Sequence, residues 1–170
     1  MIYKNNNEES ALIIASDKDN KEIAETLVKA GARLDLQDQH KESALIHATN
    51  RNNREIVEIL VQADSTKFTL DLENFYEETP LIIASNMGNK DIVKILVKAG
   101  AKLDLKSIYK DTALLRASDN GHRKIVKILV KAGADLNVQN DDGDTPLIVA
   151  SGSYHVDVVK YSSTLVPNSM

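Results

Sequence analysis

Apolar residues along this chain fall into two patterns that alternate with each other. In 23–30, 56–63, 92–99 and 125–132 they recur at i, i+1, i+4 and i+5, as Ile92, Val93, Leu96 and Val97 do, with Lys94 and Lys98 between them. That is one stripe at helical period, so each stretch is predicted to form an amphipathic helix. Upstream of each lies a shorter apolar phrase opened by Ser or Thr, at 10–15, 43–48, 79–84 and 112–117, and a fifth stands at 145–150. The hydroxyl residue suits a helix N-cap, where its oxygen accepts an orphan backbone N–H. Pro80 and Pro146 follow at the first helical position, where no N–H is needed.

The starts of the short phrases are 33, 36, 33 and 33 residues apart. Two linked phrases at one period identify an internal repeat. Gly88 and Gly121 mark the turn between the two helices, with Asp19, Asn52 and Tyr154 at that position elsewhere. Asp and Asn tolerate left-handed backbone there; Tyr does so poorly. The second helix ends at Gly31, Gly100 and Gly133, a C-cap position that wants positive φ, and Asp64 replaces Gly once. Next come 34–36, 70–72, 103–105 and 136–138, which alternate at period two and predict a short strand-like finger. No unit can bury its apolar faces alone, so several must stack and fold together.

The order finger, helix, turn, helix resembles the ankyrin repeat. The resemblance is carried by Thr79-Pro80-Leu81, by the Gly-Ala-Asp-Leu-Asn of 133–137 and by the Asp-Gly-Asp-Thr-Pro-Leu of 142–147, and it runs from about Asn5 to Val159. It implies an all-α, ankyrin-repeat α-solenoid of stacked helix-turn-helix units with short β-hairpin-like fingers. The chain then reads as one domain over 1–170, with five repeats at about 5–37, 38–73, 74–106, 107–139 and 140–166, and a tail at 167–170 expected to fray. Several positions depart from the family. Where it usually has a His bonding between fingers, this chain has Ile13, Ile46, Ile82, Leu115 and Ile148. The finger-tip Gly survives only as Gly143; Glu8, Lys41, Glu77 and Lys110 stand there otherwise. Three extra residues between Asp64 and Leu70 predict a longer loop. Ser162 and Ser163 stand where other units have Leu and Val, as the polar outer face of a terminal cap would require.

Composition narrows the functional classes. With 42% hydrophobic and 27% charged residues, a packed core is expected rather than disorder. A net charge of −4 argues against a general nucleic-acid binder. The absence of cysteine excludes a disulfide framework, a thiolate metal site and a cysteine nucleophile. The first ten residues are polar, unlike a signal peptide, and no run of about 18 apolar residues exists to span a membrane. A cytoplasmic protein without a membrane partner is therefore expected, and delivery to a host as an effector is left open.

No Gly-x-Ser-x-Gly, phosphate loop or dinucleotide fingerprint is present, so neither catalysis nor a cofactor is expected. His122 and His155 share one repeat position, while His40 and His47 fall on a finger and a helix. Without a third ligand in sight no metal site is expected.

By the resemblance, the function is recognition of a partner protein across the concave finger and first-helix surface. The tip pairs are Asn6-Asn7, Gln39-His40, Phe75-Tyr76, Ile108-Tyr109 and Asp141-Asp142. The central three would form a partly aromatic strip, with units about 8–10 Å apart. Aromatic residues dominate binding hot spots; the competing reading is that these side chains fold back onto adjacent fingers. The first-helix side adds His47, Arg51, Met87, Arg116 and Asn120. Arg116, at a position apolar in three units, is either a partner contact or one half of an ion pair with Asp111 or Asp119. Glu42, Glu78, Asp111 and Asp144 precede the caps, where acid is favourable to a helix N-terminus. The alternative function is a structural segment of a larger array or a self-associating scaffold. Self-association would run through the N-terminal repeat, where Leu12, Ile13, Ile14 and Leu27 read like an internal unit.

Overall fold

The computed structural model describes residues 4–163; the tail at 167–170 and the end of the last expected repeat lie outside them. Ten α-helices follow one another in pairs: α1 (Ala11–Asp17) with α2 (Lys21–Lys29), α3 (Ala44–Asn50) with α4 (Arg54–Ala63), α5 (Pro80–Asn86) with α6 (Lys90–Ala99), α7 (Ala113–Asp119) with α8 (Arg123–Ala132), and α9 (Pro146–Gly152) with α10 (Val156–Ser163). The five short helices pack in one row and the five longer ones in a second, each helix touching its own partner and its neighbours in the row. This all-α solenoid is the architecture that the repeat demanded.

The local chemistry explains each pair. Ser10, Ser43, Thr79 and Thr112 cap the short helices, each oxygen accepting the N–H three residues on at 3.2 to 3.3 Å. The connection to the longer helix turns on a residue with positive φ: Asp19, Asn52, Gly88, Gly121 or Tyr154. Leu12, Leu45, Leu81 and Leu114 of the short helices meet Ile56, Leu60, Ile92, Leu96, Ile125 and Leu129 of the long ones in one continuous core. The Ala that closes each short phrase is also buried and lets the rows approach closely. Ile13, Ile46, Ile82 and Leu115 are fully buried, whereas Ile148, in the last described unit, is half exposed.

One expectation is corrected. The fingers are not β-hairpins: among the described residues there is no strand, only isolated bridges Lys4–Ser10 and Gln37–Ser43. The reason is bond supply. Each finger is closed by two backbone bonds at its tip, such as Asn74 N–H to Glu78 O at 3.2 Å and Glu77 N–H to Asn74 O at 3.0 Å, and neighbouring fingers share one more. A ladder needs consecutive pairs. One arm here becomes a helix cap at once, and the other soon reaches the preceding helix. Leu70 and Asp71, expected to be extended, sit in a 3₁₀ turn (Phe68–Asp71).

Two smaller expectations also change. The insertion after α4 is ordered around Asp64, which does not take the left-handed conformation of the Gly it replaces (φ −82°). Its carboxylate accepts from the N–H and hydroxyl of Thr69, both at 2.7 Å, and from Thr66 N–H at 3.1 Å and its hydroxyl at 2.7 Å. Ser162 is buried rather than part of a polar outer face, and only Ser163 meets solvent.

Candidate functional site

The tips of the fingers are built by side chains that fold the backbone back on itself. Asp38 Oδ1 accepts the N–H groups of His40 (2.8 Å) and Glu42 (2.9 Å). Asn74 does the same for Tyr76 (2.9 Å) and Glu78 (3.0 Å), and Asn140 for Asp142 (3.1 Å) and Asp144 (2.9 Å). This is the Asx turn. Lys41, Glu77, Lys110 and Gly143 then adopt positive φ to complete the reversal, which leaves the two tip residues before them at the apex. Asn or Asp at four of the five finger bases, with Ser107 at the other, was the sequence signal for this turn.

Single backbone bonds set the tips in line: Phe75 N–H to His40 O (3.2 Å), Ile108 N–H to Tyr76 O (3.0 Å) and Asp141 N–H to Tyr109 O (3.3 Å). The central side chains stay in solvent, Phe75 being 55%, Tyr76 57% and Tyr109 53% exposed, with Ile108 slightly less so. Phe75 does lean on the neighbouring finger. The His40 ring meets it edge-on at 6.5 Å, and Lys41 Nζ lies 5.5 Å from its centroid. Gln39 Nε2 in turn lies 3.2 Å from His40 Nε2.

The first-helix residues behave differently, because most are engaged within the chain. His47 is mostly buried among three carboxylates: its Nε2 is 3.0 Å from Asp38 and 3.5 Å from Glu42, and its Nδ1 is 3.7 Å from Asp17. Arg51 reaches back one unit to Asp17 at 2.7 Å. Hydrogen bonds from Lys18 and Arg51 hold the Asp17 carboxyl down at about 2. Burial pushes the Asp38 carboxyl up, but the Glu42 N–H, His47 and the His40 N–H outweigh it and leave it below its ordinary value. Arg116 resolves into the ion-pair alternative, 3.1 Å from Asp111. Burial there pushes the Asp111 carboxyl up against the pull of Arg116. Asn120 donates to Asn86 across units at 3.1 Å, and Met87 remains about half exposed beside that contact.

The sequence reading had no reason to join Asp38, Glu42 and His47, yet each places a ligand-type atom within 4.8 Å of the others. Asp38, the only acid at a finger base, stands nine residues before the only His on a short helix. Such a set is of the type that holds a divalent cation. Here Asp38 already commits one oxygen to two backbone N–H groups and the other to His47, so the cluster closes as a hydrogen-bonded tie between finger and helix.

Among the described residues no helix is long and apolar enough to cross a membrane. The family model for ankyrin repeats (3 copies) matches residues 2–71, 64–140 and 103–162. No curated protein matches the chain significantly.

Proposed function

The chain belongs to the ankyrin-repeat family, and from that premise we propose that it binds one partner protein along the strip of finger tips. Ankyrin repeats are non-catalytic scaffolding motifs that generally mediate protein–protein contacts. The five helix pairs are read as five repeats of a single domain, at about 5–37, 38–73, 74–106, 107–139 and 140–166.

The observation that carries the reading is the exposure of Phe75, Tyr76, Ile108 and Tyr109 on adjacent tips held in register by backbone bonds. Large apolar side chains in solvent do nothing for folding, and aromatic anchors of this kind dominate interface energetics. His40 and Gln39 extend the strip at one end. Met87, Arg51 and Asn120 form its helical margin, with His47 and Arg116 beneath as the least accessible members. Changing Tyr76 and Tyr109 together to Ala removes the two anchors. Affinity capture with the wild-type chain and the double variant, alongside thermal melts, tests the reading. The partner should be lost from the variant while the melting temperature stays within a few degrees. An identical catch, or a collapse of stability, sinks it.

One observation favours a second reading, self-association through the N-terminal end. Ile23 is 49% exposed, whereas its counterparts Ile56, Ile92 and Ile125 are buried by the preceding unit. Light scattering across a concentration series separates the readings, because a strict monomer at high concentration removes this one.

A further inference from the structure

The outer row of helices carries a charge gradient that the net charge conceals. In α2 two basic residues face two acidic ones, and in α4 one faces two; α6 holds three basic residues against one acidic, α8 four against none, and α10, beyond it, one against one. Together α6 and α8 hold seven basic residues and one acidic one. The other 150 residues hold fourteen basic and twenty-four acidic, from totals of 21 and 25. At one repeat position the stack reads Glu25, Glu58, Lys94, Lys127, Lys160; at another, Glu22, Glu55, Asp91, Lys124, Asp157, where only α8 carries a base.

Helix stability does not account for this. Lys98 and Lys131 suit the C-terminal ends on which they sit, but Arg123 and Lys124 occupy the first turn of α8, where positive charge opposes the helix dipole. The other four longer helices, α10 included, place an acid in that turn. Asp91 is within 4 Å of Lys90 and Lys94. Among the described residues Lys98, Arg123, Lys124 and Lys131 have no carboxylate so close. The first turns of α6 and α8 also flank a cleft of about 490 Å³ in which Lys90, His122, Arg123, Lys124 and Lys127 meet a single acid, Asp157.

We propose that the outer face of α6 and α8 is a second docking surface, distinct from the finger-tip strip, and that it takes an acidic segment of a protein, rich in Asp and Glu. Charge complementarity names the sign, and the gradient limits the size. Two neighbouring helices of ten residues offer a face about 15 Å long and about 10 Å from axis to axis. Five or six residues of extended chain span it. A bilayer or a nucleic-acid duplex extends beyond that patch onto α4 on one side and α10 on the other, which are acidic and neutral. The surface also lacks the row of exposed aromatic rings on which single-stranded nucleic acid stacks.

The test uses the whole chain and a fluorescein-labelled peptide of ten alternating Asp and Glu residues, read by anisotropy at low and high salt. Binding should weaken as salt rises. Lys94→Glu with Lys124→Glu installs at exposed positions the residues that α2 and α4 already carry there, so folding should persist, and affinity should fall about tenfold or more. Lys29→Glu with Lys106→Glu, both at exposed positions away from α6 and α8, changes the net charge equally and should leave affinity within about twofold. Tyr76→Ala with Tyr109→Ala should have no effect, which separates this surface from the strip. The proposal is overturned by absence of peptide binding, by equal losses in both charge-reversal variants, or by tighter retention on phosphatidylserine vesicles or duplex DNA than on the peptide.

Discussion

The imidazole of His122 lies directly over Gly88 of the preceding unit. A β-carbon built on Gly88 would stand 2.7 Å from the ring, and the ring's Nε2 is 3.1 Å from the Asn86 carbonyl, two residues before that glycine. His155 repeats the arrangement over Gly121, reaching the Asp119 carbonyl at 2.7 Å. Where the turn residue is Asp19, the next unit supplies the smaller Asn53, whose amide reaches the Ser16 carbonyl at 3.2 Å. Ring and glycine therefore occur together, and they tie the outer row of one unit to the inner row of the one before.

Gly88→Ala should accordingly cost about 2 kcal/mol or more, because it adds overpacking to the strain of a β-carbon at positive φ. Adding His122→Asn, the pairing seen at Asn53, should recover part of that loss. A double-mutant cycle from urea unfolding measures the coupling. Strict additivity would show that the ring and the glycine do not interact.

The inserted segment after α4 gives a second prediction. Asp64 is buried and satisfies two backbone N–H groups and two hydroxyls of Thr66 and Thr69. Asp64→Ala strands the buried Thr69 donors, for a loss of about 2–3 kcal/mol. Asp64→Gly restores the residue that ends α6 and α8 and should not rescue stability, since the backbone here is not left-handed. Denaturant midpoints of the two variants decide the matter; a rescue by Gly would sink the account.

How far such features could be read in advance depended on whether their cause was periodic. The helices recur in every unit, and their Ser and Thr caps and buried leucines in the first four, so the pattern at 33 residues exposed them. The fingers were misjudged because alternation in Leu103, Asp104 and Leu105 suggests a strand, while strand formation needs neighbours to supply a ladder. Asp104 instead accepts the Asp135 N–H from the next unit at 3.0 Å, as Asp71 accepts that of Lys102 at 3.0 Å. The Asp38–His47 tie and the outward charge gradient were missed for the opposite reason. Each depends on differences between units, and these vanish when the units are read as copies or their charges are summed.

Stacking makes burial depend on having neighbours, which can be tested at one repeat position. Ile92 is sealed between units, and Ile92→Ala should cost about 3–4 kcal/mol. Ile23, half exposed at the end of the row, should lose about 1 kcal/mol or less with the same change. Equal losses from chemical denaturation would mean that Ile23 is covered in solution, which is the self-association reading, and those losses would then depend on protein concentration.

Acid should unfold this protein through three ties. Asp17, Asp38 and Asp64 all titrate below their ordinary value in the fold, Asp17 at about 2 instead of 3.8. For a depressed carboxyl, folding favours the ionised form. Its contribution is complete above the ordinary value and disappears as pH falls through the folded value. For Asp17 that window runs from about pH 4 to about pH 2. Asp111 has the opposite sign: burial raises it, so its contribution is lost as pH rises, and it partly offsets the decline on the acid side. The urea midpoint should therefore fall between about pH 4 and 2. In Asp64→Asn the curve should start lower at neutral pH and fall less steeply, because one proton-linked group has been removed. A variant curve parallel to the wild type throughout would show that folding does not shift the Asp64 carboxyl and that its four hydrogen bonds contribute no proton-linked stability.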